Sequence, residues 1–153
     1  MESAYKNGNE IGNHTYSHPM LTSLSTNGVK NQITKTDKAV KNVTGESPSV
    51  MRPPGGDFNS RVRSAVGKPL IYWSIDTLDW KTQNKKSTIN SVMNNVKDGS
   101  IVLMHDIHYP TKKAAMELIP KLKKKGYQLV TISDLAKYRG YNIKNGTVYY
   151  SFY

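Results

Sequence analysis

The chain has 153 residues, enough for one domain with a single hydrophobic core. It contains no cysteine, which excludes disulfides and thiolate metal sites, so any metal ion must bind His, Asp or Glu side chains. The formal net charge of +11 favours anionic partners such as nucleic acid, teichoic-type polymers or acidic membrane; the alternative is a solvated lysine-rich surface that only confers solubility.

The N-terminal residues lack the features of a secretory signal. Residues 1–10 are polar and contain no apolar segment of the signal-peptide type. No run of about 18 apolar residues occurs in the chain, so no membrane span is predicted. Two interpretations stay open at this point: a cytoplasmic protein, or a piece of a longer exported one.

Apolar residues at close to helical spacing predict a first long helix, which Gly45 and Pro48 then end. These residues are Val29, Ile33, Val40 and Val43. Residues 49–52 are predicted to form a short strand that enters a Pro-Pro-Gly-Gly loop. Asn59 is a predicted N-cap of a short helix that ends near Gly67, and residues 71–75 predict the next strand.

The second half of the chain predicts two further helices on either side of a buried strand. Ser87 is the predicted cap of the first, and Gly126 ends the second. Their apolar stripes consist of Ile89, Val92, Met93 and Val96, and of Ala115, Leu118, Ile119 and Leu122. Between the helices, residues 101–104 form an apolar run of the length expected for a buried parallel strand.

The last part of the chain predicts one more strand, a short helix and a hairpin. Residues 128–132 are the predicted strand, and Ser133 is the predicted cap of a helix that reaches Tyr138. The hairpin covers residues 141–153, with Asn145-Gly146 as its turn. The alternation of strands and helices along the chain is typical of an α/β fold with a mainly parallel sheet.

Four polar clusters interrupt this pattern. They are His14-Thr-Tyr-Ser-His18, Arg52-Pro-Pro-Gly-Gly, Asp76-Thr-Leu-Asp-Trp80, and Leu103-Met-His105-Asp. Arg52, Asp76 and His105 each end or follow a predicted strand. Because parallel α/β folds place their chemistry at the carboxyl ends of the strands, these clusters indicate one functional face.

Each cluster has a chemical interpretation and a plainer alternative. His14 and His18 can direct two neutral imidazoles at one metal ion in a helix or a tight turn, or they are ordinary loop histidines. Gly55 lets a ligand approach backbone N–H groups that stabilise an oxyanion, or it belongs to a simple Pro-Gly turn. His105 suits a general acid or a hydrogen-bonded core histidine, and Trp80 suits a binding wall or core packing.

The ordered set of clusters resembles the polysaccharide deacetylases, the NodB-homology domain of carbohydrate esterase family 4. Those enzymes remove acetyl groups from N-acetylated sugars with a bound divalent metal. The family opens with a Thr-Phe-Asp-Asp-Gly type of motif, and nothing of that kind precedes His14. The resemblance implies a distorted (β/α) barrel that lacks its N-terminal strands, with residues 1–153 as the C-terminal two-thirds to three-quarters of the domain.

The resemblance also implies roles for individual residues. His14 and His18 become metal ligands, with zinc expected first and cobalt, manganese or nickel as alternatives. The family takes its third ligand and its catalytic base from the missing Asp pair, expected upstream of Met1; Asp76, Asp79, Asp106 and His108 stay open as substitutes for the ligand. Arg52 takes the place of the arginine that contacts the base.

The other matched positions concern the substrate and the acid. Pro54 and Gly55 correspond to the substrate loop, where the family often has Tyr at the Gly55 position and uses its backbone N–H as the oxyanion donor. Leu103 lines the acetyl pocket, and Trp80 is a wall beside the acetyl methyl or a sugar face. His105 is the general acid, Asp76 is expected to orient it, and Asp79 is expected to be structural.

The sequence therefore predicts a deacetylase of N-acetylglucosamine polymers, peptidoglycan first and chitin-type oligomers next, acting outside the cell or at the wall in the parent protein. The first alternative is a non-catalytic carbohydrate-binding remnant, and the second a basic nucleic-acid-binding protein. Charge is the only feature that the second explains, so no nucleic acid partner is expected. Without the first motif, we expect weak or no activity and self-association through an exposed edge, or a complementing partner.

Overall fold

The computed structural model describes residues 1–153 and contains seven α-helices and four short β-strands. The helices are α1 (Glu2–Lys6), α2 (Thr26–Thr44), α3 (Ser60–Ala65), α4 (Asp79–Thr82), α5 (Lys85–Asn95), α6 (Tyr109–Lys124) and α7 (Ile132–Tyr138). The strands are β1 (Leu70–Ile71), β2 (Ile75–Asp76), β3 (Val102–Leu103) and β4 (Val148–Tyr149). Two 3-10 turns, Leu21–Ser23 and Pro54–Gly56, complete the list of elements.

The chain forms two compact units. The first consists of residues 1–72 and 131–149, and the second of residues 73–130 and 150–153. Both units contain parallel strand pairs, as the alternating pattern predicts.

Extended segments in the first unit form a parallel row. Asn13 bridges Met51, Met51 bridges Leu70, and β1 pairs with β4 so that Leu70 lies opposite Val148. The backbone bonds alternate from one neighbour to the next: Arg52 N–H donates to the Asn13 carbonyl at 2.9 Å, and Asn13 N–H to the Val50 carbonyl at 2.9 Å. The His14 and Arg52 clusters therefore leave adjacent segments of this row at the same end.

Helix α2 is confirmed by its caps and its buried face. The Ser25 side chain accepts from Gly28 N–H at the start, and Gly45 ends the helix at φ 86°, a left-handed conformation that glycine adopts without strain. Val29, Ile33 and Val40 are buried, whereas Val43 is 47% exposed and lies outside the core. In α3, Asn59 is the N-cap as predicted, accepting from Val62 N–H at 3.0 Å.

The second unit contains β2 and β3, which pair in parallel with Asp76 opposite Leu103. Helices α5 and α6 pack together around Ile89, Val92, Ala114, Leu118 and Leu122. Leu118 and Leu122 of the predicted α6 stripe are thus confirmed, whereas Ala114 is buried in place of Ala115 and Ile119 is 43% exposed. The side chain of Phe152 is fully buried, and its N–H donates to the Gly99 carbonyl at 2.9 Å.

Several predicted boundaries are wrong. Asn84, not Ser87, caps α5, because its side chain accepts the Ser87 N–H at 3.0 Å. Thr131, not Ser133, caps α7, accepting from Asp134 N–H at 3.1 Å.

Two predicted β elements are also absent. Residues 128–132 form no strand, and the tail forms no hairpin, because β4 pairs in parallel with β1 instead of with a neighbouring segment. Local residue preference does not decide which partner a strand finds.

The architecture is a mixed helix and strand fold. Each sheet has two strands and neither closes on itself, so the distorted barrel stays a prediction. No helix combines the length and apolar character needed to cross a membrane.

Candidate active-site residues

A tight turn, not a helix, brings His14 and His18 together in the first unit. Thr15 and His18 adopt left-handed conformations at φ 66° and 57°, which are rare for residues other than glycine. The two imidazole centroids lie 4.9 Å apart, with the ring planes at 73°. Both histidines are exposed, so their rings are accessible to a ligand from solvent.

Two polar side chains, of which Asn13 is buried, hold this strained turn. Asn13, which is 1% exposed, accepts from Thr15 N–H at 2.8 Å and donates to the Asp37 carboxylate at 2.8 Å. Gln32 of α2 accepts from the N–H groups of both Tyr16 and Ser17 at 2.9 Å. Sequence reasoning missed Asn13 and Gln32, because an amide on a distant helix gives no sign of the turn it will contact.

The structure also selects the tautomer of His14. Its Nδ1 lies 2.6 Å from the backbone carbonyl of Arg52. Since a carbonyl only accepts, Nδ1 bears the proton and Nε2 has the lone pair. A metal-binding histidine is typically oriented by this kind of second hydrogen bond. No cluster of three His, Asp or Glu residues that could hold a metal ion occurs in the structure, so His14 and His18 stay a predicted pair of ligands.

Arg52 is fixed to the end of β1. Its Nε donates to the Ile71 carbonyl and its Nη2 to the Tyr72 carbonyl, each at 3.0 Å. Burial lowers the pKa of the Arg52 guanidinium below its ordinary value, and the side chain remains protonated at neutral pH. Arg52 thus links β1 to the carbonyl that orients His14.

The loop after Arg52 is rigid. Pro54 is buried, and Gly55 is exposed at φ 59° within the 3-10 turn. The Tyr72 hydroxyl donates to the Gly56 carbonyl, and Asp57 accepts from the N–H and hydroxyl of Thr22 at 2.8 and 2.7 Å. A Cβ at Gly55 would lie 3.4 Å from the Met20 sulfur, so this position has room for a side chain but an unfavourable backbone for one.

In the second unit, His105 contacts Asp79. Its Nδ1 lies 2.8 Å from Asp79 Oδ1, and its backbone N–H donates to Asp79 Oδ2 at 2.6 Å. The Thr111 hydroxyl, at the start of α6, donates to Oδ2 at 2.8 Å. Asp79 is fully buried, whereas the His105 side chain is 36% exposed. The imidazole is therefore anchored on one side and open to solvent.

This contact corrects the sequence assignment, which gave Asp76 the orienting role. Asp76 Oδ1 instead accepts from Leu78 N–H at 2.9 Å, an ordinary turn contact two residues away. The two carboxylates differ in where the backbone places them. Asp76 is the last residue of β2, whereas the left-handed turn at Leu78 (φ 52°) brings Asp79, the first residue of α4, into the interior. Sequence reasoning missed Thr111, because no motif or spacing in the sequence indicates that this hydroxyl at the start of α6 contacts Asp79.

Hydrogen bonding decides the ionisation of Asp79. Burial alone would raise the pKa of its carboxyl, but the bonds from the side chain and backbone of His105 and from Thr111 outweigh it, so that the pKa lies below its usual range. Asp79 is consequently ionised at neutral pH. An ionised carboxylate favours the His105 tautomer with the proton on Nδ1.

The remaining predicted residues have clear positions. Trp80 is 49% exposed on α4, which excludes simple core packing. Leu103 is 7% exposed and its carbonyl accepts from the Thr77 hydroxyl at 2.8 Å. Asp106 is exposed, and His108 is the N-cap residue of α6.

Comparison with known proteins gives a consistent picture. Residues 1–69 match the sequence pattern of the polysaccharide deacetylase family. Over 130 residues the chain is 44% identical to the peptidoglycan-N-acetylmuramic acid deacetylase PdaC of Bacillus subtilis. The matched region covers 85% of this chain but 28% of PdaC. The chain thus spans little more than a quarter of the length of that relative.

A shorter relative and a solved structure are covered more fully. The chain is 35% identical over 147 residues to a peptidoglycan-N-acetylglucosamine deacetylase of Bacillus cereus, covering 91% of this chain and 68% of that protein. A family 4 acetyl xylan esterase from Clostridium thermocellum, solved with a cobalt ion, matches with a TM-score of 0.92 at 28% identity, covering 98% of this chain and 76% of that one. Since sequence and structure agree over most of the chain, it belongs to the polysaccharide deacetylases of carbohydrate esterase family 4.

Proposed function

We propose that this chain contributes to hydrolytic removal of N-acetyl groups from N-acetylglucosamine polymers, with peptidoglycan as the substrate and the cell wall outside the cell as its place of action. Its activity alone is proposed to be weak, because no Asp-Asp motif precedes His14 in the sequence. The observation that carries the proposal is the Asp79–His105 pair, a half-exposed imidazole held by a buried, ionised carboxylate. The names of the Bacillus subtilis and Bacillus cereus relatives support peptidoglycan as the substrate.

In this proposal His105 is the general acid. Asp79 holds the proton on Nδ1, so His105 presents Nε2 to the reacting amide. When Nε2 is protonated, it donates to the nitrogen of the departing amine as the C–N bond breaks, and the carboxylate stabilises the imidazolium. Asp79 is thus a positioning residue.

His14 and His18 are the proposed ligands of a divalent metal, which polarises the acetamide carbonyl and activates water when bound. Zinc is proposed first, with cobalt next because of the cobalt ion in the acetyl xylan esterase. The Arg52 carbonyl sets the His14 tautomer, and the Arg52 side chain fixes that carbonyl through β1. Arg52 is therefore a positioning residue in this proposal.

Three groups are proposed to contact the substrate. The backbone of Gly55, in the rigid loop after Pro54, is the proposed oxyanion donor. The half-exposed indole of Trp80 is proposed to pack on the acetyl methyl or a sugar face, and Leu103 to form an apolar floor beneath His105.

Two variants, each compared with an exposed control position in α2, test the assignments. His14→Ala is expected to weaken Co²⁺ affinity at least about tenfold, measured by titration calorimetry and visible absorption, whereas Asn27→Ala should leave it unchanged. His105→Ala is expected to abolish acetate release from N-acetylated peptidoglycan at saturating Zn²⁺, while Asn27→Ala retains it. Equal Co²⁺ affinity in His14→Ala and Asn27→Ala, or acetate release that survives in His105→Ala, contradicts the assignments.

A non-catalytic carbohydrate-binding protein is the second candidate. The half-exposed indole of Trp80 favours it. Binding of N-acetylglucosamine oligomers that is lost in Trp80→Ala, together with Co²⁺ affinity that is unchanged in His14→Ala, would select this candidate over the enzyme.

A further inference from the structure

The outer surface of α6 has an unusual composition. Residues 112–125 include six lysines and a single acidic residue, Glu117. We define the α6 outer face by the exposed residues that recur at helical spacing along it: Tyr109, Lys112, Lys113, Met116, Ile119 and Lys123. The opposite side of the helix packs on α5 through the buried cluster that contains Ala114, Leu118 and Leu122.

Glu117 does not neutralise this face. Its two carboxylate oxygens each lie 2.6 Å from a lysine, one from Lys85 and the other from Lys121. The hydrogen bonds from these lysines lower the pKa of Glu117 to about 2, so it is ionised and fully engaged at neutral pH. No carboxylate lies within ion-pair distance of Lys112, Lys113 or Lys123.

Apolar side chains lie between these lysines. Met116 is 67% exposed, Tyr109 66% and Ile119 43%. Such residues at i, i+7 and i+10 lie on one side of a helix. A face that served only solubility would place polar residues at these positions, whereas here three large apolar side chains are in contact with water.

We propose that the α6 outer face binds the surface of an anionic lipid bilayer, with the axis of α6 parallel to the membrane. Lysine ammonium groups pair with lipid phosphates, and the Met116 and Ile119 side chains enter the boundary between headgroups and acyl chains. A soluble polyanion would satisfy the lysines but leave the apolar side chains in water. A second copy of the chain that docked through this same face would place its lysines against these lysines and be repelled.

Vesicle sedimentation tests this inference independently of deacetylase activity. The full chain is mixed with vesicles of phosphatidylglycerol and phosphatidylcholine in equal parts, or of phosphatidylcholine alone, at physiological salt. We expect partitioning at least about tenfold stronger into the anionic vesicles. Equal partitioning into both, or no binding to either, would overturn the proposal.

Variants separate the contributions of charge and apolar contact. Lys112→Glu, Lys113→Glu and Lys123→Glu together should reduce binding at least about tenfold, and Met116→Ser with Ile119→Ser about fivefold. The matched control reverses three exposed lysines of α2, at positions 30, 38 and 41, and should change binding less than about threefold.

Two outcomes with these variants would refute the bilayer assignment. One is an equal loss of binding in both charge-reversal triples, which would mean that only net charge matters. The other is competition by soluble polyphosphate with no effect of the apolar substitutions, which would indicate a soluble polyanion as the partner.

Discussion

Replacing Asp79 by Asn tests the central contact of the proposed acid. The carboxylate accepts three hydrogen bonds, at 2.6 Å from His105 N–H, 2.8 Å from His105 Nδ1 and 2.8 Å from Thr111 Oγ1. A hydrogen bond to a charged partner contributes about 1 kcal/mol more than a neutral one. Three such bonds therefore predict a loss of about 3 kcal/mol in the free energy of unfolding.

Thermal unfolding followed by circular dichroism measures this loss. For a chain of this size, about 3 kcal/mol corresponds to a fall in Tm of roughly 6–12 °C. Asp76→Asn is the matched control, because Asp76 accepts a single turn bond, from Leu78 N–H. It should lower Tm by no more than about 2–4 °C. The reasoning fails if Asp76→Asn destabilises the chain as much as Asp79→Asn.

The same substitution should change the tautomer of His105. An asparagine at position 79 that keeps its oxygen toward His105 N–H and Thr111 directs its NH₂ group at His105 Nδ1. The imidazole proton should then move to Nε2, which ¹⁵N NMR shifts report directly. An unchanged tautomer in Asp79→Asn would contradict the positioning role of this carboxylate.

The pH dependence of stability follows from the lowered pKa of Asp79. Because the folded pKa is below the unfolded value of about 3.9, the stabilisation is fully present above about pH 4. It is lost as the pH falls through the folded pKa. The difference in unfolding free energy between wild type and Asp79→Asn should thus shrink as the pH falls below about 4 and through the folded pKa. A difference that persists unchanged below the folded pKa would refute this linkage.

Three further outcomes are expected. Gly99→Ala should cost at least about 2 kcal/mol more than Gly45→Ala in urea unfolding. Both residues have φ 86°, but only a Cβ at Gly99 would clash with a backbone carbonyl, that of Phe152. Equal costs would exclude the clash. The Glu117 carboxyl should titrate in NMR with a pKa of about 2 at low salt. In 1 M salt, which screens charge contacts, this pKa should rise. A salt-independent pKa would contradict the two lysine contacts. Glu10→Gln should lower the free energy of unfolding by about 1–2 kcal/mol and speed amide exchange in the first turn of α7. The reason is that the Glu10 carboxylate accepts from the N–H of Ser133 in that turn at 3.0 Å. Unaltered exchange would argue against that contact.

Local patterns in the sequence predicted five of the seven helices, but not α1 or α4, and they misplaced the caps of α5 and α7. Helix α2 has a period of apolar residues, a serine cap and a closing glycine, all of which are short-range features. The positions of Arg52, Asp76 and His105 at the ends of strands or just after them were also readable from spacing. These features depend on residues within a few positions of one another, so the sequence by itself determined them.

Only the tertiary structure decided the partners of the functional side chains. Two carboxylates three residues apart, Asp76 and Asp79, look alike in the sequence, and the left-handed turn at Leu78 between them selects which one is buried against His105. The parallel pairing of β4 with β1 likewise replaced the predicted hairpin. A strand partner or a buried acceptor is chosen by contacts distant in the chain, because burial and hydrogen-bond direction depend on where whole elements pack and not on residue preference.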